Sequence, residues 1–105
     1  MSENLPKPFE DFRIQYPEVW SSFEELGHNC HDAGTLDKKT RRLVKVALAI
    51  GGGLEGATHS AARNAVAQNI SPEEIKQVAV LAITTLGFPT CIRALTWIND
   101  ELESG

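Results

Sequence analysis

Cysteine is scarce: the 105 residues hold only Cys30 and Cys91, far apart and with no Cys-x-x-Cys. That excludes a paired-thiol redox motif and a disulfide-stapled scaffold. One long-range disulfide has no support in the spacing, so reduced thiols and a cytoplasmic setting are expected. Positive charge is also short. Ten Lys and Arg against 14 Asp and Glu leave a formal charge of −4 and a pI near 5.3. A general nucleic-acid binder needs a basic surface to displace counterions, and adsorption to an anionic membrane needs the same, so neither partner is expected. Long apolar runs are missing. Val46–Ile50 and Val78–Ile83 fall far short of the roughly 20 residues that span a bilayer. Met1–Pro8 is polar, carries two prolines and precedes no small-residue cleavage site, so it is expected to be a flexible arm rather than a secretory leader. There is no internal repeat, no low-complexity segment and nothing that alternates like a strand.

Apolar residues make up 42% of the chain, enough for the core of one domain over residues 1–105. Period and punctuation predict five helices, with a short sixth over Phe9–Gln15. The first main helix runs from about Pro17 to Asp32, where Val19, Phe23, Leu26 and Cys30 share one apolar face. The second follows Asp37, an N-cap, and ends at the glycines Gly51–Gly53. The third, from about Leu54 to Gln68, is rich in alanine, which lets a neighbouring helix approach closely. Asn69 is its left-handed terminator. Ser71-Pro72-Glu73-Glu74 opens the fourth as a capping box, and Gly87-Phe88-Pro89 breaks it. The fifth runs from about Pro89 to Leu102 with Cys91, Leu95, Ile98 and Leu102 on one face. The fold class is therefore an all-α bundle. Val44 with Val46–Ile50, and Val78–Ile83, wrap most of the way round their helices. A helix that is apolar all round must be buried all round, and a chain this short cannot enclose two of them. A homo-oligomer is the expected resolution.

Three groups of residues have chemistry to offer. Glu55, His59 and Arg63 stand four apart on the third helix and share a face, which suits an acid–base pair with a cation beside it; a solvated row of ion pairs would read the same way. His28, Cys30, His31 and Asp32 form a dense patch in which His28 and His31, three apart, could both face a metal. A transition-metal site needs a third or fourth ligand in place, and Cys30 fits the apolar face of its helix, so no metal and no cofactor is expected. Cys91 begins a helix, where a thiol is activated, yet it also lies on that helix's apolar face. Gly51-Gly52-Gly53 precedes a helix but lacks the Gly-Lys-Ser/Thr of a phosphate loop, so it reads as a turn requiring positive φ.

From Leu36 to Asp100 the chain resembles the carboxymuconolactone decarboxylase family, which includes the alkylhydroperoxidase D-like proteins. Leu36-Asp37-Lys38-Lys39-Thr40-Arg41 is similar to the family's opening Leu-Asp-x-Lys-Thr-Arg. Ser71-Pro72-Glu73-Glu74-Ile75 is similar to the start of a later helix, and Leu86-Gly87-Phe88-Pro89 followed by Ala94 to the closing turn. The resemblance implies an all-helical homo-oligomer, commonly a trimer or hexamer. It also implies a site, and that site is altered here. Redox members carry a glutamate after the Thr-Arg, a Cys-x-x-Cys, and a His beyond it. In the gap-free register those positions hold Arg42, Leu54, Ala57 and Ala61. Without thiols there, the family's peroxide reduction is not expected at that site. Glu55 and His59 have the internal spacing of the decarboxylase-type pair but are displaced by two residues, about 200° around a helix. Arg42 in place of the glutamate turns a base into a permanent cation.

Three functions remain open at this point. The first is a non-redox member that binds or transforms a small anionic metabolite, with Glu55 and His59 as the acid–base pair and Arg42 and Arg63 as ligand contacts. The second is a thiol oxidoreductase using Cys91 or Cys30. The third is a catalytically silent oligomeric module.

Overall fold

The computed structural model describes residues 5–104. Seven helical segments occur among them: α1 (Lys7–Gln15), α2 (Pro17–His31), α3 (Lys38–Gly51), α4 (Glu55–Ala67), α5 (Pro72–Leu81), α6 (Ile83–Leu86) and α7 (Phe88–Ser104). No strand appears among the described residues. They fall into two compact units, Met1–Thr35 and Leu36–Gly105. The arm expected over Met1–Pro8 lies outside the described residues for positions 1–4, while Lys7 and Pro8 already belong to α1.

In the first unit α1 and α2 are joined at Tyr16, with Pro17 at the first position of α2. Phe12 and Tyr16 pack at 5.0 Å between ring centres, and Trp20 and Phe23 at 5.6 Å. The apolar face expected of α2 is not a buried face. Val19, Phe23 and Leu26 are 56–60% exposed, and only Trp20 is buried. Cys30, expected on that face, is also exposed. Helical periodicity identifies a face that gains from burial, but it does not supply the surface that buries it.

In the second unit the sequence motifs act as helix-start devices. The Asp37 carboxylate accepts the Thr40 backbone N–H at 2.7 Å, and that bond holds its pKa below the usual carboxylate range. Two turns are thereby tied together, because Arg41 donates to the Leu36 carbonyl at 2.6 Å. At α5 the Ser71 hydroxyl oxygen accepts the Glu74 N–H at 3.1 Å and donates to the Glu74 carboxylate at 3.0 Å. The Glu74 carboxylate also takes the Ser71 backbone N–H, which completes the expected capping box. Its Oε2 is also drawn to Lys39 on α3.

Helix ends follow the glycine and asparagine signals. Leu54 N–H bonds to the Ala49 carbonyl and Gly53 N–H to Ile50, with Gly53 at φ +67°. Ile70 bonds to Ala65 and Asn69 to Val66, with Asn69 at φ +65°. Both are Schellman ends, in which a left-handed residue frees the next N–H to close the last turn. Of the three adjacent glycines only Gly53 takes positive φ, since Gly51 is still helical. Gly87, at φ +102° and ψ 155°, occupies a region essentially closed to other residues and redirects the chain into α7. The fourth helix, expected to be continuous to Leu86, is interrupted at Ala82, just before the β-branched run Ile83-Thr84-Thr85, whose side chains crowd the preceding turn.

The core gathers Val46 and Ile50 of α3, Ala62 and Ala65 of α4, Ile75 and Ala79 of α5, and Ala94 and Ile98 of α7, with Ile70 and Ala82. All are at most 8% exposed. The alanines keep α4 slim where it meets α3 and α7.

Ser71→Ala is expected to lower the stability of the protein by about 1 kcal/mol in urea unfolding, as loss of an N-cap does. Lys39, first, and the Ser71 hydroxyl hold the Glu74 pKa below its ordinary value. A depressed carboxylate contributes stability that is fully present above the unfolded-state pKa of about 4.3 and is lost as pH falls through the folded value. Lys39→Met should therefore shrink the acid-side loss of stability, measured by unfolding curves across pH.

Candidate functional site

The first turns of α4 and the last turns of α7 place one polar cluster. Leu54 N-caps α4 without a side-chain bond, so Glu55 at the first position faces the positive helix end. His59 follows one turn on, and its imidazole is largely covered, with a side-chain exposure of 19%. Its Nδ1 lies 2.6 Å from Oε2 of Glu101 on α7, a carboxylate that is itself 13% exposed. Oε1 of the same carboxylate forms an ion pair with Nη1 of Arg63 at 3.3 Å. Glu55, 65% exposed, sits 3.7 Å from Nε2 on the open side of the ring. Trp97, one turn before Glu101, stands against the imidazole with ring centres 6.4 Å apart.

Chemistry follows from the two nitrogens. An ionised carboxylate only accepts hydrogen bonds, so Nδ1 carries the proton it gives to Glu101. That fixes the tautomer and the ring plane, and it leaves the lone pair of Nε2 directed outward beside Glu55. Arg63, ion-paired to the other oxygen, helps hold that carboxylate in place. The result is a histidine whose orientation is set from behind and whose free nitrogen can take or return a proton.

The sequence reading brought Glu55, His59 and Arg63 together but missed Glu101. No spacing rule connects a residue of α4 with one 42 positions later. The available signal was weak, one acid of the run Asp100-Glu101-Leu102-Glu103 at the end of the last helix. Arg63 serves Glu101 rather than standing open to a ligand. Arg42 is elsewhere. With the Gln68 amide oxygen turned toward it, its Nε and one Nη donate at 2.7 and 3.0 Å. Gln68 is nine residues beyond His59, about 13 Å along α4. Arg42 thus meets its partner at the opposite end of α4 from the histidine cluster. Burial first, and then the neighbouring Arg41 charge, lower the Arg42 pKa, though a guanidinium stays charged.

Of the positions that the resemblance equated with the redox site, Leu54 and Ala57 are exposed and Ala61 packs against the core. Cys91 is 2% exposed in the core face of α7, so a peroxide has no path to it, and burial opposes its use as a nucleophile. Cys30 is exposed. Of the patch around it, His28 is exposed and His31 half-buried, and among the described residues no three His, Cys, Asp or Glu side chains converge to hold a metal ion. A groove of about 480 Å³ lies between α3 and α5–α6, lined by Leu43, Val44, Ala47, Val78, Leu81 and Leu86 with Thr40 and Thr85 as its polar groups. No member of the His59 cluster lines it. No described helix is long and apolar enough to cross a membrane.

These features define an all-helical bundle with a carboxylate-anchored histidine and no thiol pair. The family model for carboxymuconolactone decarboxylases matches residues 17–100, and the chain belongs to that family. The match begins in α2, well before the Leu36 at which the resemblance was drawn. Among solved structures, the chain is similar to an apo carboxymuconolactone decarboxylase family protein from Legionella pneumophila. The two share 26% identity over 92% of this chain and 87% of that one, with a TM-score of 0.78. No curated protein matches the chain.

The burial difference between the thiols has a direct readout. In the native protein Cys30 should react with a disulfide reagent at close to the rate of a free thiol. Cys91 should react only as fast as the protein unfolds, with peptide mass mapping separating the two.

Proposed function

We propose that the protein is a non-redox member of its family that uses His59 as a general acid–base on a small metabolite. The observation that supports this most is the 2.6 Å bond from His59 Nδ1 to a Glu101 carboxylate nearly withdrawn from solvent. A solvated row of ion pairs would have its histidine partnered on one helix. Here the anchoring partner comes from a second helix, is more covered than the histidine itself, and is held by a third residue. In the proposed reaction Nε2 removes a proton from a carbon acid or a bound water. The positive charge that forms on the ring is balanced by Glu101, and the proton is then returned to the product. Glu55, on the open side, exchanges that proton with solvent. The test is solvent-deuterium incorporation into a panel of small lactones and 2-oxo acids. His59→Gln should abolish any exchange found, and Glu101→Gln should lower it about 10²- to 10⁴-fold, the range typical of a misoriented base. Exchange that survives His59→Gln sinks the reading.

We further propose that the chain works as a homo-oligomer. The support is the exposed apolar surface of the two helices whose composition demanded burial. Val44, 39% exposed, and Leu81, 63% exposed, line the α3–α5 groove, and Leu48 and Val80 of the same helices are 64% and 49% exposed. A single apolar patch of this kind on a free monomer is costly in water. Sedimentation at micromolar concentration should give a multiple of 11.5 kDa, and Leu81→Asp should shift it toward the monomer.

A further inference from the structure

The surroundings of His59 are acidic, since Glu55 and Glu101 stand on either side of the ring. A ligand carrying a negative charge can therefore be held there only by a cation set apart from those carboxylates. The two arginines singled out by the sequence are committed. Arg63 is tied to Glu101, and Arg42 gives its N–H groups to Gln68 at the far end of α4. Arg93 is different. It is exposed on α7, and among the described residues no carboxylate pairs with it. Its guanidinium carbon lies over the Trp97 ring, 5.5 Å from the centroid. Trp97 is the same ring that stands 6.4 Å from His59, so the guanidinium and the imidazole share one indole and are at most about 12 Å apart.

Stacking on an indole holds a guanidinium in plane without using its N–H groups. The edge of that plane presents parallel donors matched to the two oxygens of a carboxylate. The half-buried indole adds apolar surface for a flat ligand body. We infer that Arg93, seated on Trp97, is the residue by which the His59 site recognises an anion, in place of the Arg42 and Arg63 singled out by the sequence. The ligand class is a small carboxylate with a flat apolar body, its charge at Arg93 and its reacting end toward Nε2. This rests on the acid–base reading for its purpose, but binding can be tested without catalysis.

Benzoate serves as the probe and benzamide as its uncharged counterpart, in the full-length protein, with the Trp97 indole and His59 imidazole followed by NMR. Saturable shifts of both groups are expected with benzoate, and binding of benzamide at least about tenfold weaker, the size expected for one charge-assisted contact. Arg93→Gln should weaken benzoate about tenfold or more. Arg93→Lys should recover part of that loss, and Arg42→Gln should change it less than about twofold. Circular dichroism confirms that each variant is folded. Equal binding of benzamide, unchanged binding in Arg93→Gln, loss in Arg42→Gln instead, or no shift at Trp97 and His59 at millimolar benzoate would each overturn the inference. His59→Gln separates the two proposals. Benzoate still bound through Arg93 in that variant supports the anion contact, even if no proton exchange is ever found.

Discussion

The second unit depends on how closely α4 can lie against its neighbours. Ala62 and Ala65 on α4, Ala79 on α5 and Ala94 on α7 are each at most 1% exposed, and none carries more than a methyl group into the core. Small residues at helix contacts bring backbones together, and close backbones let side chains of ordinary length meet across them. The meeting of His59 with Glu101 is such a case. A larger residue at Ala62 would have to be accommodated by moving α4, and the hydrogen bond that orients the imidazole would be the first contact to lengthen. Packing by the least conspicuous residues in the chain therefore sets the geometry of the most reactive ones.

Charge is distributed in keeping with that packing. Lys39 and Glu74 link α3 to α5, and Arg63 and Glu101 link α4 to α7. These pairs are not large sources of stability, because partly exposed ion pairs contribute little once screening is counted. Their effect is to assign partners. Once Glu101 has Arg63 and His59, neither the arginine nor the acid is free for other work. Once Arg42 has Gln68, its cation is fixed at the opposite end of α4. Arg42 thus acts at a place separate from the histidine cluster.

Much of the architecture was legible in the sequence. The N-caps Asp37 and Ser71, the left-handed Asn69 and the break at Gly87 are local signals, decided within a few residues by backbone hydrogen bonding and steric limits on φ. They placed helix boundaries to within about two residues. The fourth helix was the exception, because its interruption at Ala82 depends on a short β-branched run that propensity alone leaves ambiguous. The site was only half legible. Glu55, His59 and Arg63 share a helix face, and the period of the helix put them together. Glu101, Trp97 and Arg93 lie on another helix, and no local rule relates them to His59.

By itself the sequence determined the helical class, the positions of the helix ends, the lack of a thiol pair, and the family whose opening and closing motifs it carries. Each of these follows from short-range chemistry or from residue identity. Only the tertiary structure decided which side chains meet. It gave His59 its anchor on α7, assigned Arg63 to Glu101 and Arg42 to Gln68, buried Cys91, and left the α2 face and the α3–α5 groove uncovered in the single chain. Such contacts are set by how helices pack in three dimensions. A linear pattern records which face of a helix requires a partner, but not which partner arrives.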